Sequence, residues 1–309
     1  MKYLISLTIL LFANVGFCSG EDVLSLASKS WKETREVYLQ TEMEIVTTRN
    51  DKKHDPTARS YNRGRTELFR SGINQSLIFT HLDNEDGSEM QNVYAENLEY
   101  GFELARRKDT NPWKVMAIAP RGSGDIDCHD DTGVAPWSIL DLSLANIIED
   151  PSFKLISIAD EVASDGGCKV VSFELNSTGK GLIGELRSCK LRLCPAHNYL
   201  VHEFDATFER EGGGFRGVGR CTYDGTISNV PRLQTYIYEL TTANKKNILW
   251  TAEITRLEMC TKSKSDYTLT AFGLSEPKQA NSTYSSVWIA VAAAALIGVA
   301  MLFRRYSEQ

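Results

Sequence analysis

The hydrophobic pattern changes character several times along the chain. Residues 4–15 are an apolar run that follows Lys2 and precedes the small residues Ser19 and Gly20, the layout of a signal peptide cut before Glu21. Over 23–34, Leu24, Ala27 and Trp31 recur at helical spacing, which predicts a short amphipathic helix. From Val37 the period falls to two. Val37, Leu39, Thr41, Met43 and Ile45 point one way, while Gln40, Glu42 and Glu44 point the other, as in a half-buried strand.

The same period recurs over 61–70, 76–81, 93–97, 100–106 and 113–119. Turn residues at 84–87 and 108–112 separate some of these stretches, so a sheet built from locally paired antiparallel strands is expected. The apolar positions Trp137, Leu140, Leu144, Ile147 and Ile148 fall on one stripe. They predict a second helix over 135–149 that ends before Pro151. Alternation then resumes over 153–158, 169–175, 184–193, 199–209, 215–223, 233–240, 248–258 and 267–272. The total is about fourteen strands and two helices, mainly β in an α+β arrangement. A polar linker follows at 275–286, then the uncharged run 287–303 and a short tail, 304–309, opening on Arg304 and Arg305. That run has the length and basic flank of a transmembrane helix with a cytoplasmic C-terminus; a sorting tail removed by a membrane protease is the alternative. The expected location is therefore a cell membrane, single-pass, with residues 21–274 periplasmic or extracellular.

The formal net charge is −6, and it becomes more negative once Lys2 and the basic tail are set aside. An acidic body argues against nucleic acid as a partner. Six cysteines lie beyond the leader: Cys128, Cys168, Cys189, Cys194, Cys221 and Cys260. In an exported chain they suggest disulfides, with free thiols or a metal as rival readings and the pairing open. No C-x-x-C pair announces zinc. If 169–175 and 184–193 form a hairpin, Cys168 and Cys194 meet at its open end.

Chemistry is sparse. The stretch Asp125-Ile126-Asp127-Cys128-His129-Asp130-Asp131 is rich in oxygen ligands. It places Asp130 and Pro136 where a helix-loop-helix calcium loop needs Gly and Glu. His54, His81, His129, His197 and His202 form no helical i, i+4 clamp, and His202 alternates with Leu200, Phe204, Ala206 and Phe208 as a core or cavity histidine would. Arg121-Gly122-Ser123-Gly124 and the glycines at 212–214 lack the lysine and strand-to-helix context of a phosphate loop. No cofactor, no metal and no catalytic group is expected.

Three stretches stand out: Asn97-Leu98-Glu99-Tyr100-Gly101-Phe102-Glu103-Leu104-Ala105-Arg106 with Pro112-Trp113, then Ile147-Ile148-Glu149-Asp150-Pro151-Ser152-Phe153, and 185–193 closing on Cys194-Pro195 before Tyr199. They resemble exported bacterial proteins of the LolA-like fold, the periplasmic lipoprotein carriers. Cys194 stands where that pattern carries Asp. The resemblance implies a large curved antiparallel sheet or half-barrel plugged by helices, enclosing an apolar cavity. Phe102, Leu104, Phe204, Phe208 and Tyr236 are the candidate wall. The function expected is a non-enzymatic, membrane-tethered binding module for a lipid or lipidated protein. The alternative is a cell-envelope sensor or scaffold that binds a protein partner.

Overall fold

The computed structural model describes residues 20–51, 63–82, 89–107, 112–121, 123, 134–140, 142–161, 167–175, 184–210, 213–242 and 247–277. The chain divides into two compact units, Met1–Thr268 and Leu269–Gln309. The first contains helix α1 (Gly20–Tyr38) and the strands β1 (Thr41–Asp51), β2 (Arg63–Ser71), β3 (Asn74–His81), β4 (Met90–Glu96), β5 (Tyr100–Arg107) and β6 (Lys114–Pro120). A two-stranded ribbon, β7 (Ser138–Ile139) and β8 (Leu142–Ser143), leads into helix α2 (Leu144–Glu149). The strands β9 (Phe153–Glu161), β10 (Cys168–Leu175), β11 (Glu185–Cys194), β12 (Leu200–Arg210), β13 (Gly213–Ile227), β14 (Val230–Thr242) and β15 (Asn247–Met259) complete it. Of the second unit, a 3-10 turn at Leu269–Phe272 is closed by Gly273 in the left-handed region at φ 73°, and Thr270 N donates to Glu276 Oε1 at 2.9 Å.

Thirteen strands form one sheet in the order β6-β5-β4-β3-β2-β1-β15-β14-β13-β12-β11-β10-β9. Every pair is antiparallel. The chain therefore meanders outward from β1 to one edge, returns to the other edge at β9, and meanders back until β15 closes against β1. Bulges at 44/45, 103/104, 172/173, 186/188, 192/193 and in β13 at 222–226 bend the strands, and such bends let so wide a sheet curl.

Directly opposed residues of an antiparallel pair share a face. Met43 opposes Leu257 and Leu68, Ile45 opposes Ile254, Ala252 opposes Tyr236, and Tyr236 opposes Cys221. Phe204 opposes Gly219 and Leu191, which opposes Val171. This inner face carries one apolar cluster running from β2 to β10. Its cover is α1, α2 and the loop 134–140. Helix α1 turns Val23, Ala27, Trp31, Thr34 and Tyr38 inward, all buried, at the three-and-four spacing of a helical stripe. Burying side chains such as Trp31 and Tyr38 stabilises by roughly 2–3 kcal/mol each. Tyr38 also anchors the helix end, donating its hydroxyl to Pro231 O at 3.0 Å while accepting from Leu233 N at 2.9 Å.

Three sequence expectations are corrected. The helix predicted over 135–149 is helical only at Leu144–Glu149. Residues 134–140 run irregularly around Pro136 and a left-handed Leu140 at φ 56°, yet Trp137, Leu140, Leu144 and Ile147 are all buried as the stripe required. The strand predicted over 267–272 is a pair of 3-10 turns, the first opened by a capping box between Ser263 and Asp266. The transmembrane helix and the single-pass membrane location are not supported, because no helix among the described residues is long and apolar enough to cross a membrane. The longest, α1, carries Lys29, Lys32, Glu33, Arg35 and Glu36 within its span, which a bilayer core does not accept. The leader, the 125–131 stretch and 287–303 lie outside the described residues.

Candidate ligand-binding face

The five candidate wall residues are all buried, but they do not form one wall. Phe204, Phe208 and Tyr236 sit in the inner-face cluster. From Met43 the register runs through Leu68, Leu77 and Tyr94 to Glu103. Glu103 therefore shares the inner face, and its neighbours Phe102 and Leu104 point to the outer one. There they join Val93 and Ala95, opposite which they lie. The strap that follows β15 packs at this end of the sheet. Asn97 Nδ2 donates to Tyr267 O at 3.0 Å, the Lys262 ammonium lies 4.1 Å from the Phe69 ring centroid, and Cys260 N donates to Gln40 O at 2.8 Å. The sheet thus changes its apolar face between β2 and β4, and each half has its own cover.

On the inner face the cover is tied down by hydrogen bonds at several points. Trp31 Nε1 donates to Tyr199 O at 2.8 Å and Ser30 Oγ to Asn198 O at 2.6 Å, fastening α1 to the β11–β12 hairpin. Val201 N donates to Pro136 O at 3.0 Å, and Leu140 N to the Tyr236 hydroxyl at 3.3 Å, fastening the loop 134–140. The Trp137 ring meets Tyr38 edge-on, centroids 5.2 Å apart. Between α1, α2 and β9 a groove of about 590 Å³ opens, with Leu24, Ile148 and Phe153 as its apolar side and Lys29, Lys32, Glu33 and Glu149 at its rim. Lys32 and Glu149 bridge it at 3.0 Å. Both are exposed, so that ion pair contributes at most about 1 kcal/mol and does not lock the groove.

A second groove, of about 410 Å³, lies over the opposite side of β10–β15. It mixes Lys190, Arg192 and Arg220 with Glu161, Glu203, Asp205 and Glu239 over Val170, Val218, Ile237 and Leu249. Its charges pair across strands: Arg192 with Glu161 at 2.8 Å and Arg220 with Glu203 at 3.0 Å. Arg216 hydrogen-bonds Asp205 and holds its carboxyl below the usual range. This is a solvated ladder of exposed ion pairs.

Sequence spacing missed one cluster. The hairpin brings His197 Nδ1 and His202 Nε2 to 2.8 Å, with the two rings stacked on each other, His197 stacked on Tyr223 and His202 tilted against it. The signal was Pro195 to Tyr199, a tight reversal that folds position 197 onto 202. No group of three or more metal-ligating side chains occurs among the described residues. Cys168 and Cys194 form the disulfide expected at the open end of the β10–β11 hairpin. The thiols of Cys189 and Cys221 are free and buried. Burial pushes the Cys221 thiol up to about 12, and Cys189 also well above its ordinary value, so neither is a ready nucleophile. Asn74, which opens an Asn-x-Ser triplet with Gln75 and Ser76, is buried, and its Nδ2 donates to Ser71 O at 3.4 Å.

No protein-family model and no curated protein matches the chain. Among solved structures it is similar to the crystal structure of a LolA superfamily protein from Nitrosomonas europaea. The identity is 11%, the TM-score 0.41, and the similarity covers 78% of this chain and 97% of that one. The thirteen-stranded antiparallel sheet is the large antiparallel sheet that the sequence resemblance implied.

Proposed function

We propose that the protein is a binding module for an apolar or lipidated ligand, held on the inner face of the sheet, and that it performs no chemistry on its guest. One observation carries the reading. An apolar sheet face spanning β2 to β10 is covered by two helices, an irregular loop and the short β7–β8 ribbon rather than by a second layer of long strands, and the seam between the helices is an open groove with an apolar side. A cover fastened by a handful of hydrogen bonds can yield to a chain-like guest more readily than a sandwich of two ladders. The protonated, buried thiols of Cys189 and Cys221 support binding rather than nucleophilic catalysis.

The test is substitution in the groove. Phe153→Asp and Ile148→Asp each place a carboxylate on its apolar side, and each should abolish uptake of a fluorescent acyl probe while the chain keeps its circular dichroism. Unchanged uptake in both variants would refute the site. A second reading, a scaffold for a protein partner, has its own support: the edge strand β6 exposes Val115, Met116 and Ile118, and an apolar edge can accept an added strand.

A further inference from the structure

Among the described residues, two buried hydrogen-bonding atoms of the inner-face cover have no partner: Thr34 Oγ1 on α1 and Trp137 Nε1 on the loop 134–140. Thr34 is 0% exposed and Trp137 3%. Other polar atoms of the same cover are paired. Tyr38 Oη serves Pro231 and Leu233, Trp31 Nε1 reaches Tyr199 O, and Ser138 Oγ donates to Ala135 O at 2.9 Å. Buried polar atoms are as a rule hydrogen-bonded, and each exception calls for a cause. An indole N–H can only donate and a hydroxyl can donate, so the natural complement of the two is one group that only accepts. Thr34 lies one turn before Tyr38 on the inward stripe of α1, and the Trp137 ring packs against Tyr38. The two orphans thus belong to the same part of the cover.

We propose that Thr34 and Trp137 form a polar socket for the carbonyl oxygen of an otherwise apolar guest, an ester or amide of a fatty chain. The inference rests on the apolar-ligand reading above and adds the chemistry of the guest. A carbonyl oxygen has two lone pairs and no proton, which matches two donors. An ionised carboxylate would lose its hydration in the buried cluster to which Trp31, Tyr38, Ile139 and Leu140 belong, so a neutral ester is preferred over a free acid.

The experiment compares methyl palmitate with hexadecane, each presented from cyclodextrin to the full chain and to the variants T34V and W137F, with binding read by displacement of a fluorescent acyl probe. A net hydrogen bond contributes about 1–1.5 kcal/mol, so the ester-to-hydrocarbon affinity ratio should fall roughly five- to tenfold in each variant while hexadecane affinity stays level. A ratio unchanged in T34V and W137F would overturn the socket, whether the two atoms are satisfied by water or by nothing. T34V is nearly isosteric, so its result stands if W137F folds poorly. If neither ligand binds the native chain, the apolar-ligand reading fails along with the socket. If both bind and the ratio does not move, the socket alone fails.

Discussion

The packing of the inner face is tested most sharply at Gly219. This glycine on β13 opposes Phe204, and a Cβ built there would stand 2.0 Å from Phe204 Cε1 and 2.4 Å from Cζ. Carbon atoms pack at about 3.5–4.0 Å, so Gly219→Ala obliges the ring to retreat by roughly 1.5 Å. The ring has little room to do so. It is 1% exposed, with Leu191 opposite it on β11 and the Tyr236 ring 6.4 Å away. Gly219 is not in the left-handed region, so the substitution adds bulk without backbone strain. Overpacking of this kind costs about 2–3 kcal/mol, which for a domain of this size lowers Tm by roughly 5–10 °C. Urea unfolding of the wild type, Gly219→Ala, Phe204→Ala and the double variant supplies the assay. Phe204→Ala alone should cost about 3–5 kcal/mol, and the double variant should cost about 2 kcal/mol less than the sum of the singles, because the clash disappears with the ring. Additive costs, or a Gly219→Ala variant as stable as the wild type, would show that Phe204 has empty space to move into and that the face is not closed there.

Other consequences follow from the same contacts. Tyr38→Phe leaves Leu233 N–H and Pro231 C=O unpaired in the core and should cost about 2–4 kcal/mol by urea unfolding; a cost below about 0.5 kcal/mol would mean that α1 is not anchored there. The Cys168–Cys194 bridge spans 26 residues, so Cys168→Ala with Cys194→Ala should lose about 3 kcal/mol, and an unchanged midpoint under reducing conditions would count against the bridge. Stability should decline at alkaline pH. Burial keeps the Cys221 thiol protonated in the folded state up to about 12, whereas the unfolded chain releases that proton near 9. The stabilisation is complete below pH 9 and is lost between 9 and 12. Tyr38 and Tyr223, also raised by burial, add to the loss from about pH 10 upward. Cys221→Ala should flatten the slope between 9 and 10, and an identical slope would contradict the assignment.

Much of this fold was legible as periodicity, and the failures have physical causes. Alternation located the strands and, through the hairpin at 169–193, the disulfide. It could not say which phase faced inward. Phe102 and Leu104 alternate as cleanly as Phe204 and Phe208, yet their inward side is the other face, because the strap of residues 260–268 supplies a cover that no local pattern announces. Tyr94, Asn92 and Glu103 carried the hint: they continue the phase of Met43 and Leu68 but are polar. The stripe over 135–149 named buried residues correctly but was helical only in its second half: α2 carries Leu144 and Ile147, while Pro136 and the β7–β8 ribbon bury Trp137 and Leu140 without a helix. The His197–His202 pair needed the hairpin reversal, and the orphan atoms of Thr34 and Trp137 needed coordinates, because hydrogen-bond partners are not written in spacing.

Native mass spectrometry of the intact chain, after exposure to a mixed lipid extract and removal of free lipid, reads guest binding itself. The expected species is heavier than the protein by the mass of one lipid carrying an acyl ester, and is absent from the Phe153→Asp variant. Protein that keeps its bare mass at every lipid concentration would contradict that binding.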